Sequence, residues 1–341
     1  MNVLDIPDSG RRAESLDVSV ARFLTCHQGL ELGGLGGYAA ERQKHAETFA
    51  HHKLPKHKIN PIGTVESATI PGPHGAIPVR VLYPMKGREL RTKGDAGALV
   101  YCHGGGYCTG SVDEFENSLR LIAEKSGCLV FAFDYRLAPE FRYPVQLDEY
   151  SAVVDWVQGY GGRYRGVHPR RVVGGGDGVG GSMTAALCLR RRDEGKKPLA
   201  GQLLLYPAMY SPSSPPAADE NKSGYYLEYD GLTGLIDHYL PLINAVPSYR
   251  KYVYPGAQGS LHMYGQPLAV IFTNGFDPLR EGGIAHARAM RRAGALAAWK
   301  HYADLTHGWL RMAPWSPAAR EATCYVAVAL EMFVKVKPLE K

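Results

Sequence analysis

Residues 172–192 read VVGGGDGVGGSMTAALCLRRR, and this stretch decides the fold. It starts with a short apolar run at 172–176, continues through a glycine-rich turn, and ends in the helical pattern SMTAALCLRRR. Glycine tolerates backbone angles that other residues avoid, so the link predicts a sharp turn from a strand into a helix. Such a unit is typical of proteins built on a parallel sheet.

Short β-rich runs on both sides of this stretch extend the pattern. They are IPVRVLYP (77–84), ALVYCHGG (98–105), CLVFAFDYR (128–136), QLLLYPA (202–208) and PLAVIFTNG (267–275). Amphipathic segments such as EFENSLRLIAEKSG and VQLDEYSAVVDWVQG lie between them. Several runs are apolar almost throughout, as strands buried on both faces are. The alternation predicts an α/β fold with a mostly parallel central sheet, helices on both faces, and functional groups beyond the carboxyl ends of the strands.

The composition fits one large α/β domain. Of the 341 residues, 45% are hydrophobic and 21% are charged, a balance that supports a sizeable core. The charge of +6 comes chiefly from two basic clusters, at 163–171 and 190–197, which lack an aromatic ladder. We interpret them as solvated surface and predict no nucleic-acid partner. Because no apolar run approaches ~20 residues and the N-terminus lacks a secretory pattern, we predict a cytoplasmic protein without a membrane span.

The cysteines and glycines carry no signature of a bound cofactor. Six cysteines, at positions 26, 102, 108, 128, 188 and 324, form no C-x-x-C pair. The segment GLELGGLGGYAAERQK has no strand before it and no Gly-Lys-Ser/Thr after it, which argues against a phosphate-binding loop. We therefore predict no cofactor and no metal.

Three consecutive glycines follow the predicted strand at 98–102, in His103-Gly104-Gly105-Gly106-Tyr107. Such a run lets backbone N–H groups turn inward, where each stabilises a developing oxyanion by about 10²–10³ in rate. Further along stands DYRLAPE (134–140). Together these motifs resemble the hormone-sensitive-lipase-like branch of the α/β-hydrolases, which contains carboxylesterases. The resemblance runs from about residue 64 to residue 335.

The resemblance identifies the glycine-rich turn as the nucleophile elbow. In this family the turn reads Gly-Asp-Ser-Ala-Gly-Gly, and its serine attacks the ester. Here it reads GDGVGG, so Gly178 stands at the nucleophile position. Ser182, one helical turn further on, is not expected to replace the missing serine. The oxyanion hole that the resemblance implies consists of the N–H groups of Gly104, Gly105, Gly106 and Val179.

Two further motifs supply the partners of the missing serine. The segment TNGFDPLR (273–280) matches the family's acid motif, which implies that Asp277 orients the base. The segment THGW (306–309) matches the His-Gly-Phe motif, which implies that His307 is the catalytic base. The order of nucleophile position, aspartate and histidine is the one that this fold uses.

Residues 1 to about 60 and about 211 to 250 fall outside the strand–helix alternation. The second segment opens with the turn-rich SPSSPPAADENKSG and continues with YYLEYDGLTGLIDHYLPLIN, which predicts helix. We expect a single α/β-hydrolase domain over 1–341, in which these segments form a helical cap. Under the cap we expect an apolar pocket, lined by Tyr107 and Trp309, for a hydrophobic small-molecule ester or carbonyl compound. The resemblance also leaves a homodimer open, because relatives often dimerise.

Without a hydroxyl at position 178, no ordinary acyl-enzyme forms. The favoured interpretation is an ester hydrolase whose serine has been replaced, for instance by engineering, because the acid, the base and the glycine loop are intact. A second interpretation is a naturally serine-less lyase, dehydratase or cyclase that uses His307 and Asp277 as a general acid–base pair. A non-catalytic binder of small molecules is the least favoured, because receptors built on this scaffold often lose the histidine.

Overall fold

One sheet of eight strands organises the part of the chain that this computed structural model describes, which is residues 6–211, 216–240 and 250–335. The strands are β1 (Thr64–Gly72), β2 (Gly75–Tyr83), β3 (Ala96–Cys102), β4 (Leu129–Phe133), β5 (Val167–Asp177), β6 (Gln202–Leu205), β7 (Ala269–Phe276) and β8 (Ala297–Thr306). Their order is β1-β2-β4-β3-β5-β6-β7-β8. Strand β2 pairs antiparallel with β1 and β4, and the remaining pairs are parallel. The predicted mostly parallel sheet is confirmed.

Helices cover both faces of the sheet, as predicted. The α-helices of the described ranges are α1 (Val18–Cys26), α2 (Gly37–Phe49), α3 (Arg88–Thr92), α4 (Val112–Ser126), α5 (Val145–Gln158), α6 (Tyr160–Tyr164), α7 (Val179–Asp193), α8 (Pro216–Glu220), α9 (Leu232–Tyr239), α10 (Arg250–Val253), α11 (Arg280–Arg292), α12 (Trp309–Met312) and α13 (Pro317–Lys335). Helix α13 packs on α4 and on β3, whereas α5 and α7 pack on each other and on the other face of β5. Within the described ranges, no helix has the length and apolar character needed to cross a membrane.

The central strands are buried over their whole length. Every residue of β3, β4 and β7 is buried, which agrees with their nearly continuous apolar sequences. The sheet therefore has its core on both faces, and its polar chemistry is confined to the ends of the strands. The glycine-rich turn after β5 lies at one such end, as do the segments after β3, β7 and β8.

Strands β1 and β8 were not predicted from the sequence. Both lie at the edges of the sheet and are partly exposed, so their polar residues interrupt the apolar runs by which the inner strands were recognised. The predicted helix at 225–244 is also shorter in the structure, because α9 begins only at Leu232. Before it, Leu227 instead forms a β-bridge with Leu32. Of the predicted cap segments, residues 1–5, 212–215 and 241–249 lie outside the described residues.

Candidate active site

Gly178 makes the turn between the strand that ends at Asp177 and the helix that begins at Val179. Its φ of 52° and ψ of −119° lie in a region that residues with a side chain rarely adopt. Two residues on, a Cβ atom on Gly180 would lie 2.0 Å from the carbonyl oxygen of Cys102. The glycines of GDGVGG therefore permit a strained turn and a close approach to β3, as the predicted elbow requires.

The predicted acid and base meet beyond two neighbouring strands. Asp277 directly follows β7 and His307 directly follows β8. Oδ2 of Asp277 lies 3.0 Å from Nδ1 of His307, and both residues are buried. The carboxylate also accepts the N–H of Leu279 at 2.8 Å and the side-chain amide of Asn274 at 3.3 Å. Because Nδ1 donates to the carboxylate, this contact fixes the tautomer in which Nε2 is the nitrogen that can accept a proton.

The free nitrogen of His307 faces the glycine turn. A Cβ atom on Gly178 would lie 3.2 Å from Nε2 and 3.7 Å from Cε1 of His307, and it would meet no other described atom within 4 Å. A hydroxyl on that carbon would come within hydrogen-bonding reach of Nε2. The structure thus places the acid Asp277, the base His307 and the nucleophile position Gly178 next to one another in this order.

The glycine loop after β3 brings backbone N–H groups to the same place. Gly105 and Gly106, with φ of 119° and 60°, line one cavity together with Val179, Gly178 and His307. Over the described ranges, the N–H groups of Gly105, Gly106 and Val179 have no hydrogen-bond acceptor. Three of the four predicted oxyanion donors are therefore available beside His307.

Gly104 differs from its predicted role. Its N–H donates to Oδ1 of Asp177 at 2.7 Å, and that oxygen also accepts the hydroxyl of Tyr101 at 2.6 Å. The N–H of Gly104 is therefore occupied in the core, and Gly104 is not among the residues that line the cavity. We correct its assignment from an oxyanion donor to a residue that anchors the loop to Asp177.

The cavity in front of His307 is mainly apolar. Its empty volume, which includes open solvent at the mouth, is about 560 Å³. Its walls are Leu32, Gly105, Gly106, Tyr107, Gly178, Val179, Ala208, Tyr210, Leu227, Leu232, Leu235, Ile236, Tyr254, Leu279 and His307. Apart from His307 and three tyrosines, these described residues bring no ionisable side chain to it. Elsewhere in the described ranges, no group of His, Cys, Asp or Glu is arranged to bind a metal.

Of the two aromatic residues predicted to line the pocket, one lines the cavity and the other does not. Tyr107 lines the cavity, with its ring stacked 3.6 Å from that of Tyr239, and burial raises the pKa of its phenol, which keeps it neutral. Trp309, by contrast, is fully buried and does not reach the cavity. Its indole N–H donates to Oδ1 of Asn274 at 2.8 Å, and this buried acceptor explains why the ring lies in the core.

Ser182 also turns away from the cavity. Its side chain is 1% exposed, and its hydroxyl donates to the carbonyl oxygen of Ala208. It is therefore no substitute for the missing nucleophile, in agreement with the sequence analysis.

Several residues of the site were missed in the sequence. Asp177 and Asn274 stand inside the quoted motifs, yet their roles as buried hydrogen-bonding partners depend on residues far away in the chain. Leu232, Leu235 and Ile236 of α9 all line the cavity. Their spacing of three and four residues marks one apolar helix face, a signal by which they could have been found.

Comparisons with known proteins agree with the fold described above. A family model described as alpha/beta hydrolase fold matches residues 99–311. Esterase LipI of Mycobacterium tuberculosis is 32% identical over 286 residues, which cover 82% of this chain and 85% of LipI. Carboxylesterase NlhH of the same species is 33% identical over 247 residues, 72% of this chain and 75% of NlhH. The crystal structure of a thermostable esterase from Pseudomonas putida ECU1011 superposes with a TM-score of 0.84 at 25% identity, covering 95% of this chain and 99% of the esterase.

Proposed function

The chain belongs to the alpha/beta hydrolase fold family, in its hormone-sensitive-lipase-like carboxylesterase branch, and from this premise we propose that it is a Ser-His-Asp-type ester hydrolase in which Gly178 occupies the nucleophile position. One observation carries the proposal. A side-chain carbon on residue 178 would lie 3.2 Å from Nε2 of His307, where a serine hydroxyl would be activated. The esterase relatives support ester chemistry for this chain.

Each of the remaining parts has a role in this proposal. Asp277 holds the imidazole of His307 through Nδ1 and stabilises the positive charge that the ring acquires. His307 is the general base and then the general acid. The N–H groups of Gly105, Gly106 and Val179 receive the oxyanion, each contributing about 10²–10³ in rate.

The absence of a hydroxyl at position 178 sets the activity of the chain. In a Ser-His-Asp triad, loss of the serine lowers turnover by about 10⁶, while the oxyanion hole and substrate binding retain a residual ~10³–10⁴ over water. We therefore expect the glycine protein to bind esters and to hydrolyse them very slowly.

The substrate in this proposal is a hydrophobic small-molecule ester. The apolar wall of the cavity includes residues from the two segments predicted to form a cap, namely Leu32, Leu227, Leu232, Leu235 and Ile236. We propose that these segments, together with the rest of 1–60 and 211–250, cap one α/β-hydrolase domain. The cytoplasmic location and the homodimer remain predictions, which cell fractionation and size-exclusion chromatography test.

A second function is favoured by a specific contact. The buried Asp277–His307 pair leaves Nε2 facing open space beside Gly178, where it can reach a substrate proton directly. Next to an oxyanion hole, such a base removes a proton alpha to a carbonyl and stabilises the enolate. That chemistry supports a serine-less lyase, dehydratase or cyclase.

Restoring the serine separates the two functions. Gly178→Ser and the glycine protein are assayed with short-chain nitrophenyl esters, with Gly178→Ser/His307→Ala as the matched control. The ester hydrolase proposal predicts activity that appears in Gly178→Ser and disappears in the control. If Gly178→Ser is folded and inert, while the glycine protein converts a carbonyl compound in a manner that His307→Ala abolishes, the lyase-type function replaces it.

A further inference from the structure

The space beside Gly178 has room for a side-chain carbon. Among the described residues, leaving out the two chain neighbours of Gly178, only His307 comes within 4 Å of a Cβ atom there, with Nε2 at 3.2 Å and Cε1 at 3.7 Å. This space is continuous with the cavity, whose walls include Gly178, Val179 and His307. A serine would fill it with one carbon and one hydroxyl, and glycine leaves it free for a molecule of that composition.

The surroundings favour an alcohol over a water molecule in this space. The cavity that this space joins is lined by the apolar side chains of Val179, Ala208 and Leu279, and Nε2 of His307 lies beside the position of the Cβ atom. A water molecule is held in place by two to four polar partners, and the structure places one side-chain polar atom, Nε2 of His307, beside this position. An alcohol needs one acceptor for its hydroxyl and gains from burying its alkyl carbon.

We infer that the space beside Gly178 is an acceptor site for a short primary alcohol, and that the chain transfers acyl groups from an ester directly to this alcohol. The inference rests on the proposed function, because it uses His307 as the base and the glycine loop as the oxyanion hole. The bound alcohol stands in for the serine side chain, with its carbon near the Cβ position and its hydroxyl directed at Nε2.

The reaction proceeds without an acyl-enzyme. Nε2 of His307 takes the hydroxyl proton while the alcohol oxygen forms a bond to the ester carbonyl carbon. The carbonyl electron pair moves onto its oxygen, which faces the N–H groups of Gly105, Gly106 and Val179. When the intermediate collapses, the bond to the original alkoxide breaks and His307 returns the proton to that oxygen. One ester and one alcohol give a new ester and a new alcohol, with no oxidant or reductant.

This route has a kinetic signature. Ester and alcohol must be bound at the same time, so the rate depends on a ternary complex and saturates with both reactants. A serine enzyme would instead show the ping-pong behaviour of an acyl-enzyme. The two mechanisms are distinguishable even when their products are the same.

The test uses the full chain with p-nitrophenyl butyrate and increasing methanol. Nitrophenolate is followed by absorbance and methyl butyrate by mass spectrometry, with tert-butanol at equal concentration as the solvent control. We expect nitrophenolate release that saturates with methanol, is matched by methyl butyrate, and exceeds that of His307→Ala by about 100-fold, the lower end of general-base catalysis. A linear methanol dependence equal to that of His307→Ala would overturn the inference.

Two substitutions at the same position complete the test. Gly178→Ala fills the space with a methyl group and brings no hydroxyl, so it loses the methanol-dependent rate, and retention of that rate overturns the acceptor site. Gly178→Ser tests the proposed function separately. If it hydrolyses the ester while the glycine protein forms no methyl butyrate, the acceptor site alone fails. If Gly178→Ser is folded and inert and the glycine protein forms no methyl butyrate, both fail.

Discussion

The amide nitrogen of Gly104 lies 2.7 Å from Oδ1 of Asp177, and this hydrogen bond joins the glycine loop to the turn that contains Gly178. The same carboxylate oxygen accepts the hydroxyl of Tyr101 at 2.6 Å. Because Gly105 and Gly106 directly follow Gly104, the bond also sets where their N–H groups point. Asp177 is 2% exposed, so water cannot take the place of its carboxylate as the acceptor for these two donors.

Asp177→Ala is expected to destabilise the protein by about 3 kcal/mol. The substitution leaves the buried N–H of Gly104 and the hydroxyl of Tyr101 without their acceptor, and hydrogen bonds to charged groups contribute about 1.5–3 kcal/mol each. Urea denaturation measures the loss. Tyr101→Phe removes only one of the two bonds and serves as the comparison. Equal losses in the two variants would argue against the anchoring role of Gly104.

Gly178→Ala and Gly178→Ser are both expected to be less stable than the glycine protein, by about 1–3 kcal/mol. The φ of 52° with ψ of −119° strains any residue that carries a Cβ atom. Denaturation midpoints in urea give the difference. Gly195→Ala, at a φ of 64° where a Cβ would meet nothing within 4 Å, is expected to lose about 1 kcal/mol from backbone strain alone. If Gly178→Ala were as stable as the glycine protein, the backbone strain inferred for this turn would be wrong.

Trp309→Phe is expected to lower stability and to leave substrate binding unchanged. The phenyl ring cannot donate to Oδ1 of Asn274, and an unpaired buried acceptor costs about 1–3 kcal/mol. In the Gly178→Ser background, we expect the KM for nitrophenyl acetate to change by less than about twofold, since Trp309 does not line the cavity. A large rise in KM at unchanged stability would return Trp309 to the pocket.

Leu235→Ala is expected to broaden the acceptance of long acyl chains. Leu235 lines the cavity from α9, and its truncation makes room for two or three methylenes of the substrate, each contributing about 0.8 kcal/mol on burial. In the Gly178→Ser background, the ratio of kcat/KM for octanoate to that for acetate should rise by about 15- to 60-fold. Leu296→Ala, at an exposed position outside the cavity, should leave this ratio unchanged.

His286 is expected to make the stability fall in acid. The side chain is fully buried, and burial lowers its pKa from 6.5 to about 4. This side chain therefore binds a proton below about pH 6.5 in the unfolded chain, but only below about pH 4 in the folded chain. The free energy of unfolding falls as the pH falls through this window. Between pH 7.5 and pH 4.5 the loss from this residue is about 2–3 kcal/mol.

The contribution of His286 is isolated by a substitution. Urea denaturation of the protein and of His286→Gln across this pH range gives the difference in stability at each pH. This difference should shift in favour of the variant as the pH falls, because glutamine does not titrate. A pH-independent difference would show that His286 has the same pKa in the folded and the unfolded chain.

The parts of this protein that the sequence predicted are those set by local chemistry. The inner strands appear as continuous apolar runs because both of their faces are buried, and the turns at Gly178 and Gly105 require glycine because of their backbone angles. Asp277 and His307 meet beyond the neighbouring strands β7 and β8, as their motifs' resemblance to the hormone-sensitive-lipase-like family implied. Strands β1 and β8 were not predicted because an exposed edge strand has no continuous apolar run.

Tertiary structure alone decided which groups face the cavity. Gly104 and Gly105 are neighbours of identical type, yet the N–H of Gly104 is bound by Asp177, 73 residues away, and that of Gly105 is free for substrate. Trp309 turns into the core for the same reason, because its acceptor on Asn274 comes from another strand. The direction of an N–H group or a ring depends on partners brought together by folding, and no local pattern contains them.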